Sequence, residues 1–390
     1  MRIKMRLLSE LLMPITSHWL IKTAKIHTFR CILSTLRGSV TLWLHGKKEK
    51  MKELIRPNIR NLQAYSSARD EFSGKKGVFL DANENPFGHL NRYPDPHQKD
   101  LKAQLAQLKG LSSEHIFIGN GSDEVIDLAF RIFCEPGKDK VLSFFPSYGM
   151  YRVSAAINDI KLIEIPLATN FQIDVRLLKA YFAQKDIKLL FICSPNNPTG
   201  NVFHPKDIKF ILNHFKGITI IDEAYIDFSS SPSWSKEIDN YPRLIVSQTF
   251  SKAWGLAAAR VGVAYANDEI INLFDRVKPP YNVSALNQNA AIKAITNIDI
   301  FEQNKQTILA ERQLLQQELV KFDWVKHIYP SDANFLLIQV TNANIIYSKL
   351  VKQNVIIRNR HNLVENCIRI SIGTPTENRI LLQTMNTIEI

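Results

Sequence analysis

Three short, mostly apolar runs, at residues 189–193, 218–221 and 244–248, constrain the fold more than any other feature of this 390-residue chain. Each has the length of a single strand, and each is followed at once by residues of a different kind: Ser194-Pro195-Asn196-Asn197-Pro198-Thr199-Gly200, Asp222-Glu223-Ala224-Tyr225, and Thr249-Phe250-Ser251-Lys252-Ala253-Trp254. In an open parallel sheet, ligands sit outside the carboxyl ends of the strands. Apolar runs that all end in polar, chemically capable side chains therefore predict such a sheet with a site along one edge.

From Val78 onward, short apolar runs alternate with amphipathic stretches, the pattern of an α/β protein. Residues 99–109 read as a helix that ends at Gly110. Ile116-Phe117-Ile118 reads as a strand running into Gly119-Asn120-Gly121-Ser122-Asp123-Glu124. A helix follows, with Val125, Leu128, Ala129, Ile132 and Phe133 on one face. Residues 141–145, 161–165 and 261–265 are further strands. Pro279-Pro280 marks a boundary. Beyond it the pattern predicts one long helix over 284–321, strands near 335–340, 355–358 and 367–372, and helices near 343–353 and 375–388. The expected organisation is an arm over 51–84 that packs with the smaller domain, a large domain over 85–283 with a mostly parallel central sheet flanked by helices, and a smaller C-terminal α/β domain over 284–390.

The chemistry sits at the strand ends. Lys252 follows a strand, lies beside two hydroxyls and precedes Arg260 by eight residues. Alone, a lysine is a solvated surface group. Near cations or in a dry site it loses basicity and becomes a nucleophilic amine. Asp222 closes an apolar run; it is either a turn or cap residue or a buried carboxylate, and a buried carboxylate needs a partner. Tyr225 and Asn197 are either ordinary turn residues or donors to a ring oxygen. An amine for a Schiff base, a carboxylate for a ring nitrogen, and a phenol and amide for a ring hydroxyl are together what pyridoxal phosphate requires. Ser122 and Asp123 open a helix directly after a strand, where free N–H groups and the positive dipole end suit a phosphate, although a glycine turn before a helix is common. Thr249, Ser251 and Arg260 add phosphate donors. Tyr148 is either a lid over the ring or a core residue. Arg358 ends a strand and Arg369 lies within one; they are exposed strand residues or, if both face the cofactor, a clamp for an anionic substrate.

Bulk properties exclude other classes. Hydrophobic content of 45% and charged content of 22% are ordinary for a globular protein. No apolar stretch is long enough for a membrane span, since Glu10, Pro14 and His18 interrupt the nearest one at 7–21. Cys31, Cys134, Cys193 and Cys367 lie far apart and form no metal-like pair, as expected of reduced thiols in a cytoplasmic enzyme. The net charge of +12 is concentrated. Residues 1–50 hold ten Lys or Arg against two Glu, and the remaining 340 hold 39 basic against 35 acidic side chains. No nucleic-acid face is implied on the body. The basic segment is a targeting peptide, a surface-binding arm, or sequence upstream of a true start at Met51; the last is the preferred reading because a coherent domain begins there.

These residues, together with 61–69, Asn83-Glu84-Asn85-Pro86, Asn91-Arg92-Tyr93-Pro94 and Ser147-Tyr148-Gly149-Met150-Tyr151, carry a resemblance from about Arg56 to the C-terminus. The chain resembles the class II, fold-type I pyridoxal-phosphate-dependent aminotransferases, and among them the branch that acts on histidinol phosphate and glutamate or 2-oxoglutarate in histidine biosynthesis. The resemblance implies a homodimer with sites at the interface. Tyr93 would reach the cofactor phosphate of the neighbouring subunit, while Tyr65, Arg358 and Arg369 would hold the substrate's phosphate. One departure is Ala258, where such proteins often have glycine. A phosphothreonine decarboxylase and an aromatic-amino-acid aminotransferase are alternatives on the same scaffold.

Overall fold

Seven strands form the larger sheet: β1 (Ile116–Asn120), β2 (Lys140–Phe145), β3 (Lys161–Pro166), β4 (Ile187–Cys193), β5 (Ile218–Asp222), β6 (Leu244–Thr249) and β7 (Val261–Tyr265). Their spatial order is β1-β7-β6-β5-β4-β2-β3. All pairings are parallel except the two made by β7, which runs against both β1 and β6. The expected mostly parallel sheet is thus found, with one reversed strand. Four strands, β8 (Val325–Ile328), β9 (Phe335–Val340), β10 (Arg358–Asn359) and β11 (Cys367–Ser371), make a second, antiparallel sheet in the order β10-β11-β9-β8. The computed structural model describes residues 51–66 and 77–388, and the described residues from Leu54 onward form one compact unit. The basic segment 1–50 lies outside the described residues.

Ten helices accompany the sheets among the described residues: α1 (Pro57–Arg60), α2 (Lys99–Lys109), α3 (Ser122–Phe133), α4 (Met150–Ile157), α5 (Pro205–His214), α6 (Asp268–Val277), α7 (Ala285–Thr296), α8 (Ile298–Leu319), α9 (Ala343–Lys352) and α10 (Pro375–Met385). Gly110 caps α2 in the left-handed region (φ 61°), as its position predicts. A capping box between Thr374 and Glu377 starts α10. None of these helices is long and apolar enough to cross a membrane.

The long helix expected over 284–321 is two helices. Asn297 breaks it: its backbone leaves the helical region (ψ 45°), and its side-chain amide donates to the Lys293 carbonyl at 2.7 Å. A short polar side chain that bonds nearby backbone competes with the helical ladder. The break also separates two cores. Ala291 and Ile295 of α7 pack into the core of the larger sheet with Val246, Val261 and Val283, whereas Leu315 and Leu319 of α8 pack with Leu336, Ile338, Ile368 and Ile370 of the smaller one. Helix α7 therefore belongs with the large sheet, beyond the boundary expected at 283. The strand expected at 355–358 shrinks to β10, which Arg358 begins rather than ends. Val355 instead donates to the Leu350 carbonyl, and Asn354 turns the chain through positive φ.

The arm's first turn, expected on the smaller domain, bonds to the large one. The Arg56 N–H and guanidinium donate to the carbonyls of Ile132 and Arg131 at the end of α3, and Arg276 of α6 donates to the Arg60 carbonyl. A third apolar cluster joins the two layers: Tyr225, Phe228, Ala253, Phe301, Ala333 and Phe335, with Trp254 stacked on Phe301 at 4.0 Å. It holds the loops after β5 and β6 against β9, so the edge of the large sheet and the face of the small sheet meet at one place.

Candidate active site

The parallel register puts three strand ends side by side. Cys193 of β4 is level with Asp222 of β5, and Asp222 with Ser247 of β6. Because β7 reverses between β1 and β6, the end of β1 points to the same edge. There Gly121 turns the chain at φ 78°, and Ser122 begins α3 with no side-chain cap on its free N–H groups. Gly262 of β7 makes this close packing possible: a Cβ there would fall 2.2 Å from the Gly121 carbonyl carbon and the Ser122 nitrogen. A Cβ at Gly121 would strike the Arg260 guanidinium at 2.7 Å. The bare helix start is thus enclosed by groups that leave room only for backbone.

Around it lie the expected phosphate donors. Arg260 sits in the left-handed region (φ 48°), rare for a non-glycine residue, and donates to Ser251 Oγ at 3.3 Å and Asp123 Oδ2 at 3.2 Å. Thr249 Oγ1 donates to Ser251 Oγ at 3.0 Å. The Asp123 carboxylate also accepts the Tyr148 hydroxyl at 3.3 Å. Its charge is therefore engaged by Arg260 and Tyr148, and its contribution to binding an anion is its backbone N–H in the first turn of α3.

At the other end of the cleft Asp222 is 2% exposed. Its carboxylate accepts the Tyr151 hydroxyl at 2.8 Å and the Ala224 N–H at 3.1 Å. Burial pushes the carboxyl up to about 6, and the Tyr151 bond restrains the rise. Tyr151 is itself fixed by stacking on Phe191, ring centroids 4.7 Å apart. Asn197 donates from Nδ2 to the Tyr225 hydroxyl at 3.2 Å and accepts at Oδ1 from Arg369 Nη1 at 2.5 Å. Lys252 Nζ lies 5.6 Å from the centre of the Tyr225 ring. Lys252 reaches solvent at the cleft mouth, yet enough protein crowds the amine that burial, and then Arg369, hold its pKa below the ordinary lysine value. Burial pushes the Cys193 thiol beside them well up, which leaves it inert.

Of the residues singled out in the sequence, Ser122, Asp123, Tyr148, Asp222, Tyr225, Thr249, Ser251, Lys252 and Arg260 line this one cleft. Asn197 and Arg369 join it through the hydrogen bonds above. Tyr93 does not line it: its ring, half exposed, stacks on Tyr281 at 4.3 Å. Tyr65 is 72% exposed and also lies outside the cleft lining. Arg358 is exposed and stands directly across from Arg369 in the small sheet. One residue that holds the site was missed. Tyr151 lies in the first turn of α4, three residues after Tyr148, and the two rings meet edge to face at 5.5 Å.

The set fits pyridoxal 5′-phosphate. An anion cradle that any Cβ would obstruct stands at one end. At the other is a buried carboxylate that a protonated ring nitrogen would neutralise, and a crowded amine lies between. The family model for class I and II aminotransferases matches residues 72–385, and the chain belongs to that family. Its curated relatives are more specific. A histidinol-phosphate aminotransferase of Cytophaga hutchinsonii is 47% identical over 344 residues, covering 86% of this chain and 99% of that one. One of Christiangramia forsetii is 49% identical over 350 residues, covering 88% and 99%. Among solved structures, histidinol-phosphate aminotransferase from Sinorhizobium meliloti in complex with pyridoxal-5′-phosphate superposes with a TM-score of 0.70 at 25% identity, over 76% of this chain and 84% of that one.

Proposed function

We propose that this protein is a pyridoxal-phosphate-dependent histidinol-phosphate aminotransferase, which moves an amino group between glutamate and the keto phosphate of histidine biosynthesis. The observation that carries the substrate reading is the cross-strand pair Arg358–Arg369. It brings two guanidiniums to the face of the small sheet that meets the cleft, and Arg369 reaches Asn197. Histidinol phosphate bears a phosphate ester where an ordinary amino acid bears its α-carboxylate, and paired guanidiniums match such an oxyanion.

Bound, the cofactor supplies an electron sink for the substrate's α-carbon. The chain's own groups do the rest. The first turn of α3, with Ser122, Asp123, Thr249, Ser251 and Arg260, holds the phosphate end. Asp222 holds a proton on the ring nitrogen: an ionised carboxylate in a dry site favours a cation beside it. Asn197 and Tyr225 would hold the ring oxygen, and Tyr148 would pack on the ring. Lys252 would anchor the cofactor, and its free amine would move a proton at the substrate's α-carbon. Its lowered pKa keeps a larger share of the amine unprotonated, as a base must be.

The working form is a cytoplasmic homodimer. Tyr93 and Tyr65 are the groups that need it. Both are exposed, and the 78–93 segment that carries Tyr93 also exposes Leu80, Phe87 and Leu90. In the dimer Tyr93 serves the neighbouring subunit's phosphate end and Tyr65 a substrate phosphate. Free, buried Cys134, Cys193 and Cys367 agree with a reducing compartment.

The test is a substrate panel. Holoenzyme with 2-oxoglutarate should form glutamate with histidinol phosphate at far higher efficiency than with phenylalanine or phosphothreonine. Release of carbon dioxide from phosphothreonine without glutamate formation would assign the protein to decarboxylation instead.

A further inference from the structure

Arg360 stands two residues after Arg358, just past β10. Side chains two apart on an extended strand share a face. The pairing with β11 continues through this point: Arg358 opposes Arg369, Asn359 opposes Ile368, and the Arg360 N–H donates to the Cys367 carbonyl at 2.9 Å. Arg358, Arg360 and Arg369 therefore lie on one face of the small sheet, opposite the face where Ile368 and Ile370 enter the apolar core.

Two of the three guanidiniums carry a buried nitrogen with no partner. Nε of Arg360 and Nε of Arg369 are both shielded from solvent and bonded to nothing among the described residues. Arg369 uses Nη1 on Asn197 and lies over the Phe335 ring at 5.0 Å. None of the three makes an ion pair with a carboxylate among the described residues. Burial, with Arg369 and then Arg358 nearby, pushes the Arg360 pKa down to about 10. Buried donors without acceptors and like charges without a counterion are both unfavourable. A cluster of this kind is balanced by an anion that carries more than one charge.

We propose that Arg360 is a third guanidinium of the substrate's anion site, and that it selects a dianionic phosphate ester over a monoanionic carboxylate. The inference rests on the substrate reading above. Each cation attracts a dianion twice as strongly as a monoanion at the same separation. Two guanidiniums already suffice for a carboxylate, so the third adds most where the second negative charge is.

The experiment uses holoenzyme of wild type, Arg360→Gln and Arg360→Lys. The histidinol-phosphate and glutamate half-reactions are followed separately, and thermal protection by inorganic phosphate is measured alongside. Arg360→Gln should raise the concentration of histidinol phosphate needed for half-maximal rate by roughly tenfold or more, while the corresponding value for glutamate moves by less than about threefold. Arg360→Lys should recover part of the loss, and phosphate should protect Arg360→Gln less than wild type. Equal losses in both half-reactions, or unchanged values with unchanged phosphate protection, would overturn the inference and leave the proposed function standing. If wild type turns over no histidinol phosphate but phosphate protection still depends on Arg360, the substrate reading fails and the anion site survives. Should Arg360→Gln not fold, Arg360→Lys decides: a half-maximal concentration raised more for histidinol phosphate than for glutamate supports the inference, and values unchanged for both overturn the role of the guanidinium.

Discussion

Asp222→Asn should make the cofactor-free protein more stable and the loaded enzyme nearly inactive. Asp222 is buried, and its carboxyl titrates near 6 in the folded chain against an ordinary 3.8. A carboxyl whose folded pKa is raised contributes most to stability when protonated, below about pH 4, and that contribution is lost as pH rises through about 6. The rise is worth about 3 kcal/mol by pH 8. Asparagine has nearly the same shape and no charge. Its carbonyl can keep the Ala224 N–H, and its amide can donate to the Tyr151 oxygen, whose present bond to Asp222 is 2.8 Å. The variant should therefore gain up to about 3 kcal/mol at pH 8 and about half that at pH 5, where the wild-type carboxyl is largely protonated in the folded state. Denaturant unfolding of both cofactor-free proteins at the two pH values measures this, and stopped-flow single turnovers of the loaded forms measure the catalytic loss. A variant destabilised by the same amount at both pH values would refute the reasoning, because it would mean that the charge is not what the fold opposes. A single-turnover rate near wild type would refute the assignment of Asp222 to the ring nitrogen.

Lys252→Ala should lower transamination by several orders of magnitude, with an unchanged circular dichroism spectrum, and retained turnover would remove Lys252 from its role. Co-expression of Lys252→Ala with a strongly impaired Tyr93 variant should yield mixed dimers in which one site regains activity; mixtures no more active than their parents would show that Tyr93 does not act across the interface. A chain beginning at Met51 should elute as a dimer and turn over normally, and loss of cofactor binding on removing residues 1–50 would make that segment part of the enzyme.

Local sequence was enough wherever one strand and the turn after it decide a residue's place. The runs followed by Asn197, Asp222 and Lys252 could be read because buried strands are mostly apolar and the polar residues within a few positions past them lie at the sheet edge. The start of α3 and its glycine were legible for the same reason. Other features depended on neighbours distant in sequence. Nothing near 284–321 announces that α7 packs on the large sheet and α8 on the small one; the break at Asn297 acquires meaning only when the two cores are present. Strand alternation could mark Arg369 as facing away from the apolar core, yet its bond to Asn197, 172 residues earlier, exists because the Tyr225–Phe335 cluster presses the two sheets together. Tyr151 took its place under Asp222 in the same way, through stacking on Phe191 of the adjacent strand. The sequence by itself determined the layered α/β architecture and the chemistry along the sheet edge, because periodicity and strand ends are local properties. Which side chains meet across that edge was decided by tertiary structure alone, because contacts between separate elements depend on how their apolar faces pack.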